Sequence, residues 1–261
     1  MCSRFLSALA ATLALTSVHA EERVLRVCAD PDNLPYSNAQ GEGFENRIAT
    51  LVAGEMHAQL RYEWMPFLRG FVRKTMGAGL CDVFIGVPTD FERVMTTRPY
   101  YRSAYVFISR ASAEVPSFDD PRLARARIGV QLVGNDLAAT PPGYALAARG
   151  ITNNVEGFPM MGEQPATQRI VRALADGRLD MALAWGPQAG YFAANAGVPL
   201  RVSIAAAPAE AAGMPFEFSI SMGVKRGNRA LRDELDGVID RRRADIDRIL
   251  AAYHVPRTDP P

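Results

Sequence analysis

Cysteine, histidine and lysine are all scarce in this chain: 3 Cys and 3 His in 261 residues, with Lys74 and Lys225 the only lysines. Three cysteines are too few for a disulfide-stapled scaffold. The histidines, His19, His57 and His254, are too few and too scattered to assemble a histidine-rich metal site. There is no HExxH, GxSxG, P-loop or CxxC spacing, and Gly41-Glu42-Gly43 and Gly77-Ala78-Gly79 each lack the third glycine of a dinucleotide fingerprint. Net charge is only +1, and no basic block is long enough to track a phosphate backbone, so nucleic acid is not expected as a partner. No stretch reaches the ~18 apolar residues of a membrane span. With 48% apolar and 22% charged residues, the composition is that of an ordinary folded protein of one large or two small domains.

The longest apolar run stands at the start. Arg4 supplies a positive charge, residues 5–15 form an apolar core, and Val18-His19-Ala20 resembles a cleavage site, so residues 1–20 are expected to be a secretory signal peptide. The exported chain, from Glu21, would lose Arg4 and carry 28 cationic and 28 anionic residues. It would keep two cysteines, Cys28 and Cys81. Two cysteines in an oxidising compartment favour a disulfide; two buried thiols are the alternative. His57 and His254 fall at helix ends, where a structural role suffices. Asp30-Pro31-Asp32 offers two carboxylates, but a turn explains them equally well.

Apolar periodicity alternates between strand and helix. Strands are expected at 24–29, 59–64, 81–87 and 103–109, with helices at 44–56 and 68–78. A second series follows a Ser-, Pro- and Asp-rich break at 111–121. It has strands at 128–132, 155–158, 179–184, 200–205 and 216–224. Its helices are expected at 136–149 (interrupted near Pro141-Pro142), 165–176, 186–196 and 228–253. Repeated βα units argue for parallel-type sheets covered on both faces by helices.

Gly79-Leu80-Cys81-Asp82-Val83, Thr89, Arg93 and Arg98-Pro99-Tyr100-Tyr101 resemble the core motif of amino-acid-type periplasmic solute-binding proteins (family 3). A narrower likeness runs along nearly the whole exported chain. It is carried by Cys28-Ala29-Asp30-Pro31-Asp32-Asn33-Leu34-Pro35-Tyr36-Ser37-Asn38, Gly41-Glu42-Gly43-Phe44-Glu45-Asn46, Gly86-Val87-Pro88, Ile128-Gly129-Val130-Gln131, Trp185-Gly186-Pro187 and Ser221-Met222-Gly223-Val224. These are similar to the binding-protein-like accessory family, the J proteins, encoded with pyrroloquinoline-quinone-dependent methanol or alcohol dehydrogenases. The resemblance implies an α/β, two-lobe, type II periplasmic-binding-protein fold with mixed sheets. Lobe 1 would be residues 21–110 plus 218–261, and lobe 2 residues 111–217. It also implies strand order 2-1-3, which makes the strands bearing Cys28 and Cys81 neighbours within disulfide reach; side-chain direction stays open.

The resemblance also places a cleft. Arg93 is similar to the arginine that holds an amino acid's carboxylate. Gly86 and Pro88 stand where hydroxyl partners are expected, and Trp185 stands where the ammonium's acidic partner is expected, so amino-acid binding is expected to be lost. Asp30, Asn33, Tyr36, Phe44, Glu45, Gln131, Met160, Met161 and Pro187 complete the candidate cleft residues. For Phe44, Met160 and Met161 the competing reading is plain core. For Arg93 it is a surface ion pair with Asp90 or Glu92. A Met- and aromatic-rich wall suits a small hydrophobic ligand or a partner's peptide. The function implied is a non-enzymatic periplasmic accessory that binds and helps mature or activate the dehydrogenase, with its cytochrome c as a further partner, and with no cofactor or metal of its own. The alternative is the substrate-binding component of an ABC importer. An enzyme on this fold would need a cleft acid–base pair, for which only Asp30, Asp32 and Glu45 qualify.

Overall fold

The computed structural model describes residues 22–133, 138–160 and 164–259; the expected signal peptide, residues 1–20, lies outside the described residues. The first βα series contains Val24–Ala29 (β1), Phe44–Glu55 (α1), Gln59–Trp64 (β2), the single turn Phe71–Lys74 (α2) and Val83–Pro88 (β3). The long strand Tyr101–Arg110 (β4) leads into the second series. That series is Ile128–Val133 (β5), Pro141–Ala148 (α3), Val155–Pro159 (β6), Ala166–Ala175 (α4), Met181–Trp185 (β7), Gly186–Ala194 (α5) and Leu200–Ile204 (β8). Glu217–Val224 (β9) then precedes Arg229–Arg241 (α6) and Arg243–Ala252 (α7).

Each series makes a parallel set with its first strand in the centre. β1 lies between β2 and β3, and β5 lies between β6 and β7. The two sets are joined by antiparallel strands, giving the order β6-β5-β7-β4-β9-β3-β1-β2. Residues 101–104 of β4 pair with β9, while 105–109 pair with β7 and 106–110 with β8. One strand therefore serves both sets. Its residues 103–109 are all buried, as expected of a strand covered on both faces.

Helices cover those faces. Ile48 and Val52 of α1 pack with Leu25 and Val27, and with Leu235, Val238, Ile246 and Leu250 of the last two helices. In the second set, Ile170 and Leu174 of α4 cover one face with Val106, Ile108 and Ala182, while Leu146 of α3 covers the other with Phe107, Val130 and Leu183. The alternation of Val106 and Ile108 with Phe107 is the two-residue period of a strand.

The described elements depart from the sequence expectation in three places. The helix expected at 68–78 is one turn, because Thr75 leaves helical geometry and its hydroxyl bonds back to the Phe71 carbonyl at 2.8 Å. The helix expected from 136 begins at Pro141: prolines lack the N–H that the first turn leaves unpaired, so they start helices well. Residues 138–139 instead pair with 132–133. The last helix breaks at Arg242 (φ −111°, ψ 20°), and each half keeps its own apolar face on the core.

Residues 253–259 run back across both sets. Tyr253 stacks on Tyr191 of α5, Ser103 Oγ of β4 donates to the Pro256 carbonyl (2.6 Å), and Arg257 pairs with Asp247 of α7 (2.6 Å). Gly190 of α5 has no room for a side chain: a Cβ there would meet the His254 carbonyl.

Cys28 and Cys81 form a disulfide, with Cα atoms 5.5 Å apart and both side chains buried. β1 and β3 are neighbours, paired at Val27 and Val83, and Cys81 stands in the segment leading into β3, two residues before the strand begins. The bridge closes a separation of 53 residues. In the chain-entropy view that stabilises the fold by about 4 kcal/mol. The double substitution C28A/C81A is expected to lower the melting temperature by roughly 10 °C; unchanged melting, read by calorimetry, would remove the bridge from the list of stabilising features.

Candidate functional site

The parallel strands of both sets, with the joining strands β4 and β9, enclose a cavity of about 360 Å³. Carboxyl-terminal strand ends are where α/β sheets place ligands. Asp30, Asn33 and Tyr36 follow β1, Glu45 stands in the first turn of α1, and Gly86 and Pro88 close β3. From the second set come Gln131 of β5, Met160 beyond β6, Trp185 ending β7, and Gln188 of α5. The joining strands add Tyr101, Tyr105, Phe218 and Ile220, and the α2 region adds Phe67 and Phe71.

Aromatic rings make two linked walls. Trp185 meets Tyr105 and Phe218 edge-on, with centroids 5.5 Å apart in each case. Phe71 lies between Phe67 (5.0 Å) and Phe84 (5.3 Å).

The polar groups divide into satisfied and unsatisfied. Asp30 is a turn organiser: its two carboxylate oxygens accept from the backbone N–H groups of Asp32 (2.9 Å) and Phe67 (2.6 Å). Gln188 Oε1 accepts from Thr167 Oγ1 at 3.1 Å. The Gln131 side-chain oxygen is buried with no partner. Glu45 donates its backbone N–H to the Tyr36 carbonyl (2.9 Å), but its carboxyl has no hydrogen bond or ion pair among the described residues. It keeps some access through the cavity but lies deep, and burial pushes its carboxyl up to about 8. Its position depends on Gly86, where any Cβ would collide with Glu45 Oε1. Burial, and after it the neighbouring Glu45 charge, also raises the Tyr36 phenol above the usual tyrosine range. Burial alone raises Tyr105 to about 12. No Lys, Arg or His lines the cavity among the described residues.

Nine of the sequence-selected residues meet here: Asp30, Asn33, Tyr36, Glu45, Gly86, Pro88, Gln131, Met160 and Trp185. Met160 is 48% exposed at the rim, so it is not core. Three others are corrected. Phe44 is fully buried, packed on Tyr36, Tyr101 and Tyr253: it precedes Glu45 by one helical position, about 100° around the axis, so one faces the core and the other the cavity. Arg93 is exposed in the turn after β3, away from the cavity, and pairs with neither Asp90 nor Glu92. Pro187 is buried inside the first turn of α5, which follows β7 directly. Met161 lies outside the described residues.

Sequence reasoning missed Tyr101, Tyr105 and Phe218. Two-residue spacing along β4 and β9 was the available signal, with Tyr101 and Tyr105 four apart and Phe218 and Ile220 two apart. His57 and His254 close α1 and α7 in left-handed conformation (φ 50° and 54°) and do not line the cavity.

Two βαβ sets joined by antiparallel strands, with a cavity at their strand ends, define a type II periplasmic binding protein fold. The profile of the bacterial extracellular solute-binding proteins, family 3, matches residues 25–256, and the chain belongs to that family. Within it, the chain is 32% identical to Protein MoxJ of Paracoccus denitrificans over 265 residues, covering 95% of this chain and 94% of the relative. It resembles the crystal structure of periplasmic binding protein XoxJ from Methylobacterium extorquens AM1 at 36% identity and TM-score 0.75, covering 91% of this chain and 100% of that one. MxaJ from Methlophaga aminisulfidivorans MPT superposes at TM-score 0.79 with 26% identity, covering 90% of this chain and 100% of that one.

Glu45 gives the site a pH signature. Its folded pKa is raised, so the folded state holds a proton that the unfolded chain releases between about pH 4.5 and 8. Stability is therefore lost as pH rises through that window. The substitution E45Q is expected to flatten this slope, raising stability at pH 8.5 by on the order of 2 kcal/mol, with no difference near pH 4. Denaturant titrations of both proteins across pH 4–9 check it; parallel curves would mean that Glu45 is ordinarily solvated.

Proposed function

We propose that this chain is a non-enzymatic, exported accessory protein that binds a pyrroloquinoline-quinone-dependent methanol or alcohol dehydrogenase and helps mature or activate it. The observation that carries this reading is the end-to-end likeness to MoxJ and XoxJ. Residues 1–20 serve as the signal peptide, the periplasm is the working compartment, and the dehydrogenase's cytochrome c is a second candidate partner. The two lobes divide at 110/111 and 217/218, with β4 shared between them. On this reading amino-acid binding is lost, which is supported by the lack of a guanidinium among the described cavity residues and by the exposure of Arg93; Trp185 stands where the resemblance implies an acidic group. Asp30 is consumed by its turn, and Glu45 has no basic partner, so no acid–base pair serves an enzyme.

One observation favours a second reading. The cavity, about 360 Å³, is large enough for a small molecule, as an importer's binding component requires. An affinity experiment separates the two. Tagged residues 21–261 are incubated with periplasmic extract from methanol-grown cells of the source organism. Recovery of a quinoprotein dehydrogenase, identified by mass spectrometry and quinone absorbance and absent with a surface-scrambled bait, is the expected result. Recovery of an importer permease, or of nothing, would put the solute-carrier reading first.

A further inference from the structure

We propose that the cavity is a binding site for a small organic cation lacking a carboxylate, an alkylated ammonium ion, held by the Glu45 carboxylate and the surrounding aromatic faces. Two buried-side groups point to a positively charged or donating ligand. The Glu45 carboxyl, half-buried at the cavity wall, has no hydrogen bond or counter-ion among the described residues, and the Gln131 side-chain oxygen, on a residue only 5% exposed, has no partner. Both are acceptors. Nothing in the described lining supplies a positive charge, so an anion or zwitterion would leave its carboxylate unpaired. The segments adjoining Val133 and Met160, residues 134–137 and 161–163, contain no Lys, Arg or His in sequence either.

The walls suit an alkylated cation. Tyr36, Tyr105, Trp185 and Phe218 present ring faces or edges to one compartment, and desolvated ammonium ions are attracted to such faces, most strongly to tryptophan. Gly86 matters because it lets the Glu45 carboxyl lie against β3, leaving the cavity free.

The other titratable groups around Glu45 are acidic or phenolic. They are Asp30 after β1, Tyr36 in the following loop, Tyr62 of β2, Tyr100 just before β4 and Tyr101 on it. None of these carries a positive charge. A bound cation stabilises the ionised carboxylate, so binding expels the Glu45 proton at neutral pH and strengthens as pH rises toward 8.

Isothermal calorimetry on purified residues 21–261 tests this without any dehydrogenase, so its outcome is independent of the accessory role. The probes are choline, its neutral carbon isostere 3,3-dimethylbutan-1-ol, and glycine betaine. Choline is expected to bind at least tenfold more tightly than either of the others. Its affinity should rise by up to about tenfold per pH unit between pH 6 and 8, with proton release seen as a buffer-dependent enthalpy. The E45Q protein should lose at least tenfold in choline affinity and all of the pH dependence while melting no lower than the unsubstituted protein. The E45D variant, a retained carboxylate, should recover part of it. Equal binding of choline and its isostere, full binding by E45Q, or no choline binding up to about 10 mM would overturn the assignment.

Discussion

The antiparallel ladder between β4 and β9 is the constraint on which the rest of the structure depends. Each parallel set has its own helix-covered core, but nothing in a βαβ series obliges two such sets to face one another. The ladder does so, because residues 101–104 bond to β9 beside the first set and 105–110 continue unbroken into the second. The cavity follows from it. Tyr101, Tyr105, Phe218 and Ile220 stand on these strands, so the floor of the cavity and the connection between the sets are the same backbone. The final segment reinforces the arrangement: residues 253–259 tie α7, α5 and β4 together, and Gly190 is the vacancy through which they pass.

Inside this frame, the local chemistry is governed by one placement. A carboxyl in the first turn of a helix is ordinarily favoured by the helix dipole and by water. Glu45 has the position but only narrow access to water, and its carboxyl rises to about 8 instead of remaining in the ordinary range. Such a group is costly to keep in charged form without a partner. The surrounding residues do not relieve it: they are phenols, an indole, and an amide oxygen that is itself unpartnered. By contrast the nearby Asp30 accepts two backbone N–H groups and shapes its turn. Two carboxyls lining one cavity thus have different roles, set by whether the backbone offers donors.

Element type was readable in the sequence where periodicity is long and unambiguous. The stripe of α4 and the buried runs of β1, β4 and β7 needed only one pattern each. The site was readable in part, through residues adjoining strand ends. What was not readable depended on direction. Arg93 lies only five residues beyond Pro88, yet that turn carries it to solvent. Phe44 and Glu45 are neighbours in sequence and opposite in role, since a helix rotates each residue about 100° from the last. Tyr101 and Tyr105 were visible as aromatic residues, but which face of the pleat they share is a phase that only the paired backbone defines. The cysteine pair had the same ambiguity, resolved by the path of the segment that carries Cys81 into β3 beside β1.

These particulars separate fold from function. The family's architecture is intact, including the strand order of each set and the cavity at their ends. The group that would hold an amino acid's carboxylate is not in that cavity among the described residues, although an arginine is present a short way along the chain. A scaffold of this kind can keep its two-set geometry while its cavity is repurposed, because the ladder and the helical cores, not the cavity residues, hold the sets together. The enclosed space of this chain offers acceptors and ring faces, and those side chains can vary without disturbing the helical cores.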